Sequence, residues 1–182
     1  MSARPEVLVE FVRRHGRAVL KPLHGRGGIG VMEFSADDRN LRSAADLLTE
    51  EGRRPALAQE YVATARQGDK RVIVLDGEPV GAVLRVPRDD DVRSNLHVGG
   101  VEQRATVDDD DRRICARLAP HLRELGLYLA GIDVIGGKLT EVNVTSPTCV
   151  QHIDRLDGRL GQDRVVSLIV DGAVAKLGRS RS

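Results

Sequence analysis

Asp133-Val134-Ile135-Gly136-Gly137-Lys138-Leu139-Thr140-Glu141-Val142-Asn143-Val144-Thr145-Ser146-Pro147-Thr148 reads as a strand, a glycine turn, a second strand and a polar loop. Three oxygen-bearing side chains, Asp133, Glu141 and Asn143, interrupt otherwise apolar strand sequence. A carboxylate taken into a sheet is costly unless it is paired or bound to a metal. Glu141 and Asn143 are two apart, so they share a sheet face. Asp133 depends on the turn. A two-residue loop at Gly136-Gly137 pairs residue 133 with 140 and sends Asp133 to the opposite face. A three-residue loop returns it to the face of Glu141. Gly137 followed by Lys138 suits the three-residue form, a type I turn closed by a left-handed glycine. The three oxygens then converge, and two carboxylates with one amide suit Mg2+. An ordinary hairpin with its polar face in water is the plainer alternative.

Composition narrows the partners. The chain has 182 residues, 41% of them hydrophobic, enough for one domain or two small lobes with a core. Lys and Arg number 28 against 27 Asp and Glu, so bulk charge favours no polyanion. Phe11, Phe34, Tyr61 and Tyr128 are too few for a base-stacking platform, and nucleic acid is not an expected partner. Cys115 and Cys149 lack zinc-ligand companions at finger-like spacing. No signal peptide or apolar run of membrane length is visible, so a reducing, cytoplasmic setting without a membrane partner is expected.

Around the central stretch, helices are expected over 4–15, 40–51, 108–126 and 164–177, with Pro120 kinking the third. Strands are expected over 17–21, 31–34, 55–62, 70–75 and 78–86, the last two joined by an Asp76-Gly77 hairpin turn. Residues 87–103 are polar, carry three successive Asp and show no period, and read as a long mobile loop. Mixed helices and antiparallel hairpins indicate α+β.

Several pieces bear chemistry. Lys21 ends a strand just before Gly25-Arg26-Gly27-Gly28-Ile29-Gly30. Backbone N–H groups of such a turn can approach phosphate oxygens, and the lysine adds charge. No Gly-Lys-Ser/Thr closes it and a strand follows it, which excludes the Walker and Rossmann patterns. Gln59-Glu60-Tyr61-Val62 leaves a strand with backbone groups able to hold an adenine edge. Asp69 can take ribose hydroxyls, and Arg71 can grip carboxylate or phosphate. Arg85 heads the long loop that carries Arg93 and Asn95. Ser146-Pro147-Thr148 can offer N–H groups and hydroxyls to an anionic substrate.

The order of these pieces resembles the ATP-grasp ligases, and their wording resembles bacterial glutathione synthetase. Lys-Pro-Leu-x-Gly-x-Gly-Gly at 21–28, Gly-Asp-Lys-Arg-Val at 68–72, Asp-Gly-Glu-Pro-Val at 76–80 and Leu-Thr-Glu-Val-Asn-Val-Thr-Ser-Pro-Thr-Cys at 139–149 carry the likeness. It implies an α+β ATP-grasp fold of two lobes with nucleotide between them. The small lobe would be 1–63 with the glycine loop. The catalytic, metal-binding lobe would be 64–182 with a lid at 87–103. The resemblance implies ATP and Mg2+, with Mn2+ as a substitute, as cofactors. Lys21 would touch the phosphates under a glycine loop that includes Gly25, Gly27 and Gly28. Gln59, Glu60, Tyr61 and Val62 would line the adenine pocket, with Asp69 near the ribose. Asp133, Glu141 and Asn143 would hold the metal. Arg71 and Arg85, with Lys21, would be catalytic. Arg71, Arg85, Arg93, Asn95, Ser146, Pro147 and Thr148 would serve the peptide substrate and its acyl phosphate.

Two departures stand out. His24 occupies a position where the family usually has Asp. The family's N-terminal domain, with a second nucleotide lysine, has no counterpart in these residues. The expected activity is ATP-dependent joining of γ-glutamylcysteine and glycine, with this chain as the ATP-binding half. An N-terminal domain in trans or a homo-oligomer is the implied partner. A related ligase for another peptide or amino acid, or a nucleotide-binding module without catalysis, are the rival readings.

Overall fold

The computed structural model describes residues 1–24, 27–88, 100–144 and 147–179. They fall into two compact units, one built on Met1–Arg66, the other on Gln67–Val86 and Val101 onward.

The first unit contains α1 (Pro5–His15), β1 (Arg17–Pro22), β2 (Met32–Ser35), α2 (Leu41–Leu48) and β3 (Ala56–Glu60). Pro5 sits where a missing N–H costs nothing, and Gly16, at φ 74°, ends α1. The sheet order is β2-β1-β3, antiparallel throughout. Period-two alternation divides β1. Ala18 and Leu20 enter a core with Leu8, Val12, Phe34, Leu41, Ala45 and Ala56. Arg17, Val19 and Lys21 therefore lie on the opposite face, where register adds Glu33 from β2 and Gln59 from β3.

The second unit contains β4 (Asp69–Leu75), β5 (Glu78–Val86), β6 (Val101–Ala105), α3 (Asp109–Glu124), β7 (Leu129–Ile135), β8 (Lys138–Asn143), α4 (Val150–Asp157) and α5 (Val165–Arg179). Its antiparallel sheet has the order β6-β5-β4-β7-β8. One face packs on α3 through Val72, Val74, Ala82, Ala130, Ile132 and Val134 against Cys115 and Leu122. Helix α3 starts on a reciprocal cap between Asp108 and Asp111 and runs through Pro120. Lys70, on that same face, pairs with both capping carboxylates, at 2.6 Å for Asp111. On the other face, Gly81 admits α4 and α5, since a Cβ there would lie 2.9 Å from Ile153 and 3.2 Å from Val165.

Three expectations change. Residues 101–105 form β6, so the long loop read at 87–103 stops before 101; its residues 89–99 lie outside the described residues. Helix α4 was not legible. The central hairpin turns differently. Ile135 pairs with Lys138, so Gly136 and Gly137, at φ 55° and 70°, form a two-residue loop. The extra residue sits inside β8 instead. Register shifts between Asp133 and Val134: Asp133 pairs with Glu141 and Val134 with Leu139, which makes Thr140 the extra residue of β8. This bulge restores Asp133 opposite Glu141, the face expected from a three-residue loop.

The Asp76-Gly77 turn is as read, with Leu75 opposite Glu78 and φ values of 49° and 90°. A Cβ on Gly77 would lie 2.5 Å from the Ala119 Cβ of α3. Gly77→Ala is expected to lower stability by about 1–3 kcal/mol, combining backbone strain with overpacking. Urea unfolding measures this, and a loss below about 0.5 kcal/mol would show that the turn and α3 separate freely.

Candidate active site

In the first unit, the glycine loop joins β1 to β2. Gly27 and Gly28 have φ of 65° and 77°, and Val31 N donates to Gly28 O at 3.2 Å, so backbone folds tightly just beyond Lys21. Gly25 lies outside the described residues. Lys21 stands opposite Leu57, and Gln59 opposite Val19, which places Lys21 and Gln59 on the face away from the core. Glu60 is exposed at the end of β3, and Tyr61 and Val62 are half-buried. Tyr61 extends the ladder by donating its N–H to Arg17 O at 3.2 Å.

In the second unit, the face away from α3 gathers the charged residues. Register sets Asp69 beside Arg85, and aligns Arg71, Asp133 and Glu141 across β4, β7 and β8. Arg71 donates from Nε to Asp133 Oδ1 and from Nη2 to Oδ2 at 3.0 Å, a bidentate grip. Arg85 Nη2 reaches Asp133 Oδ2 at 2.9 Å and Asp69 Oδ2 at 2.5 Å. Two guanidiniums and two carboxylates thus form one network, with the Arg71, Arg85 and Asp133 side chains only 6%, 3% and 3% exposed. Burial pushes the Asp133 carboxyl up, but the Arg71 hydrogen bonds and the Arg85 charge outweigh it and hold it below the usual carboxylate range. Burial likewise pulls Arg85 down, and Asp69 with Asp133 more than reverse it, so the guanidinium stays charged. Arg85 Nε is buried with no acceptor among the described residues.

Gly131 makes the grip possible. A Cβ there would lie 2.7 Å from Pro147 and 3.2 Å from Arg71 Cδ, so only glycine lets the Arg71 stem cross β7. A glycine inside a strand signals such an approach, and that was the signal to read. Thr148 Oγ1 accepts from Arg71 Nη1 at 3.3 Å. Arg93, Asn95 and Ser146 lie outside the described residues. Asp69, expected beside a ribose, holds Arg85 in this structure. Lys70, between Asp69 and Arg71 in sequence, faces α3 instead.

The donor set fits a hard cation. Glu141 is exposed and Asn143, two residues on, is half-buried. Asn143 Nδ2 is buried without a partner among the described residues. Turning that amide over puts an oxygen where an orphaned donor now sits. Among the described residues no group of three or more His, Cys, Asp and Glu is placed to hold a metal, and Asn143 adds an amide to the two carboxylates Asp133 and Glu141. Cys115 is no candidate nucleophile, because burial pushes its thiol up to about 12.

Known proteins resemble this chain in sequence and in fold. Glutathione synthetase of Thermosynechococcus vestitus is 53% identical over 163 residues, 89% of this chain and 51% of that protein. That of Gloeobacter violaceus is 47% identical over 173 residues, 95% of this chain and 53% of that protein. The chain therefore spans about half the length of these curated relatives. D-cycloserine synthetase DcsG superposes with a TM-score of 0.69 at 17% identity, over 94% of this chain and 61% of that one. D-alanine–D-alanine ligase from Bacillus anthracis, solved with ATP, gives 0.62 at 14%, over 93% and 56%. These likenesses show the ATP-grasp fold. Residues 1–158 match the family model described as prokaryotic glutathione synthetase, ATP-grasp domain, and the chain belongs to that family.

Proposed function

We propose that this chain supplies the nucleotide- and metal-binding part of an ATP-dependent carboxylate–amine ligase joining γ-glutamylcysteine to glycine. The observation that carries the reading is the cross-strand row Arg71–Asp133–Glu141 with Asn143 beside it. It sets metal-type oxygens next to buried guanidiniums on one sheet face. The curated relatives are named glutathione synthetases, which supports the substrate pair.

Lys21 and the backbone of Gly25, Gly27 and Gly28 bind the phosphates, and Gln59, Glu60, Tyr61 and Val62 hold the adenine. Asp133, Glu141 and Asn143 hold Mg2+, which neutralises phosphate charge when bound. The dipeptide carboxylate takes the γ-phosphoryl group, giving an acyl phosphate and ADP. The glycine amine then displaces phosphate. Arg71 and Arg85 lower the cost of the negative charge that gathers at the transferring group, and Arg85 Nε is a spare donor for it. No side-chain nucleophile is required. Thr148, with Pro147, Ser146, Arg93 and Asn95, contacts the peptide. Residues 1–63 and 64–182 serve as the two lobes. Surface that the relatives carry outside the matched half completes the dipeptide site, from another domain or a second copy. Cytoplasmic placement is supported by two unbridged cysteines, and no described helix is long and apolar enough to cross a membrane.

The test is ADP release with γ-glutamylcysteine and glycine, each omitted in turn. Release that requires both substrates is expected, slow with residues 1–182 alone because orientation supplies about 7–11 kcal/mol of such barriers. Nucleotide binding with no ADP release under any substrate or added N-terminal region would mark a binding module instead.

A further inference from the structure

Arg17 and Glu33 have no part in the chemistry above, yet they frame Tyr61. The Arg17 guanidinium carbon lies 3.7 Å from the centroid of the Tyr61 ring. The same guanidinium donates through Nε and Nη2 to Glu33 Oε1. Main chain joins them too, since Tyr61 N–H donates to Arg17 O at 3.2 Å. All three residues belong to the first unit, on or just beyond the three-stranded sheet. Arg17 shares a face with Lys21, and Glu33 is directly opposite Val19 across β1 and β2. Glu33 is 18% exposed and Arg17 47%, so the pair is anchored at the carboxylate end and open at the other.

A cation over a tyrosine face is attracted by the ring quadrupole, and the flat guanidinium is suited to stacking where an ammonium is not. Tyr61 leaves β3 with its N–H on the Arg17 carbonyl and its ring under the Arg17 guanidinium, so one residue holds both its backbone and its ring. We propose that Arg17, oriented by Glu33, is a positioning residue for the adenine-binding segment Gln59–Val62: it fixes the Tyr61 ring and thereby tunes nucleotide affinity without touching nucleotide. This rests on the reading of Gln59–Val62 as the adenine pocket. Because Arg17 is half exposed, its removal leaves the core of the unit intact, and the effect appears in binding rather than in stability.

The experiment titrates Mg-ATP into the full chain by calorimetry for wild type, Arg17→Ala, Arg17→Lys, Glu33→Gln, Tyr61→Leu and the double variant Arg17→Ala/Tyr61→Leu, with a melting temperature for each. Arg17→Ala is expected to weaken Mg-ATP about 3–10-fold with the melting temperature little moved. Arg17→Lys should recover only part of the loss, and Glu33→Gln should fall between. In the Tyr61→Leu background, Arg17→Ala should change nothing further, because coupled residues are non-additive. Unchanged affinity in Arg17→Ala overturns the proposal. An equal loss in both backgrounds also overturns it, by showing that Arg17 acts on nucleotide directly. Wild type that binds no Mg-ATP would remove the functional reading and the inference together, whereas binding with an indifferent Arg17 removes the inference alone.

Discussion

Asp133→Asn is expected to cost about 3–5 kcal/mol of stability, because removing one partner leaves buried charge uncompensated. The carboxylate answers two guanidiniums, and its side chain and those of Arg71 and Arg85 are at most 6% exposed. An asparagine keeps the volume but supplies one acceptor and a misplaced N–H donor. Arg85 would keep its pairing with Asp69 and Arg71 its contact with Thr148, but both would lose the charge they share at Asp133. The same residue sets an acid response. Its folded pKa is depressed, so its contribution is complete above the unfolded carboxylate value of about 3.9 and is lost as pH falls through the lower folded value. Urea unfolding at pH 7 and then below about pH 4 tests both parts. Wild type should weaken in the acid window, and Asp133→Asn should lack that component. A variant within 1 kcal/mol of wild type at pH 7, on the order of an exposed ion pair, would show that the network is solvated.

Glu141→Gln should behave in the opposite way. Glu141 is exposed on edge strand β8, and substitutions at such positions usually change stability by less than about 0.5 kcal/mol. As the carboxylate directly opposite Asp133 across β7 and β8, it should nonetheless be required for Mg2+. Loss of even an outer-shell partner weakens metal binding by about 10–100-fold, and a direct ligand should cost no less. Mg-ATP affinity is therefore expected to fall by at least that much in a normally folded variant. Equal affinity in Glu141→Gln would remove the metal site from β8. The pair of variants separates the roles, since Asp133 confounds stability with binding and Glu141 does not.

Local chemistry was legible where neighbours in sequence decide it. Asp76-Gly77 fixes a two-residue turn, the acidic start of α3 becomes its cap, and alternation in β1 sends Lys21 away from the core. Longer-range register was not. The face of Asp133 was read correctly through the wrong device, because a bulge at Thr140 follows from pairing with β7 and has no sequence signature of its own. The arginine network was hidden for the same reason. Arg71 meets Asp133 only through β4–β7 pairing, and Lys70, its neighbour, is sent to α3 by the same period of two. Helix α4 is a short span of eight residues, and its one clear mark is Gly158, left-handed at φ 65° just after its end.

The central claim is that these residues bind ATP through a magnesium-dependent site. Calorimetric titration of ATP into the purified chain, with Mg2+ and then with excess chelator, tests it most directly. The account predicts saturable binding of one ATP per chain with Mg2+ and at least tenfold weaker binding without it, a difference of about 1.4 kcal/mol. Equal affinity in the two titrations, or no binding in either, would contradict it.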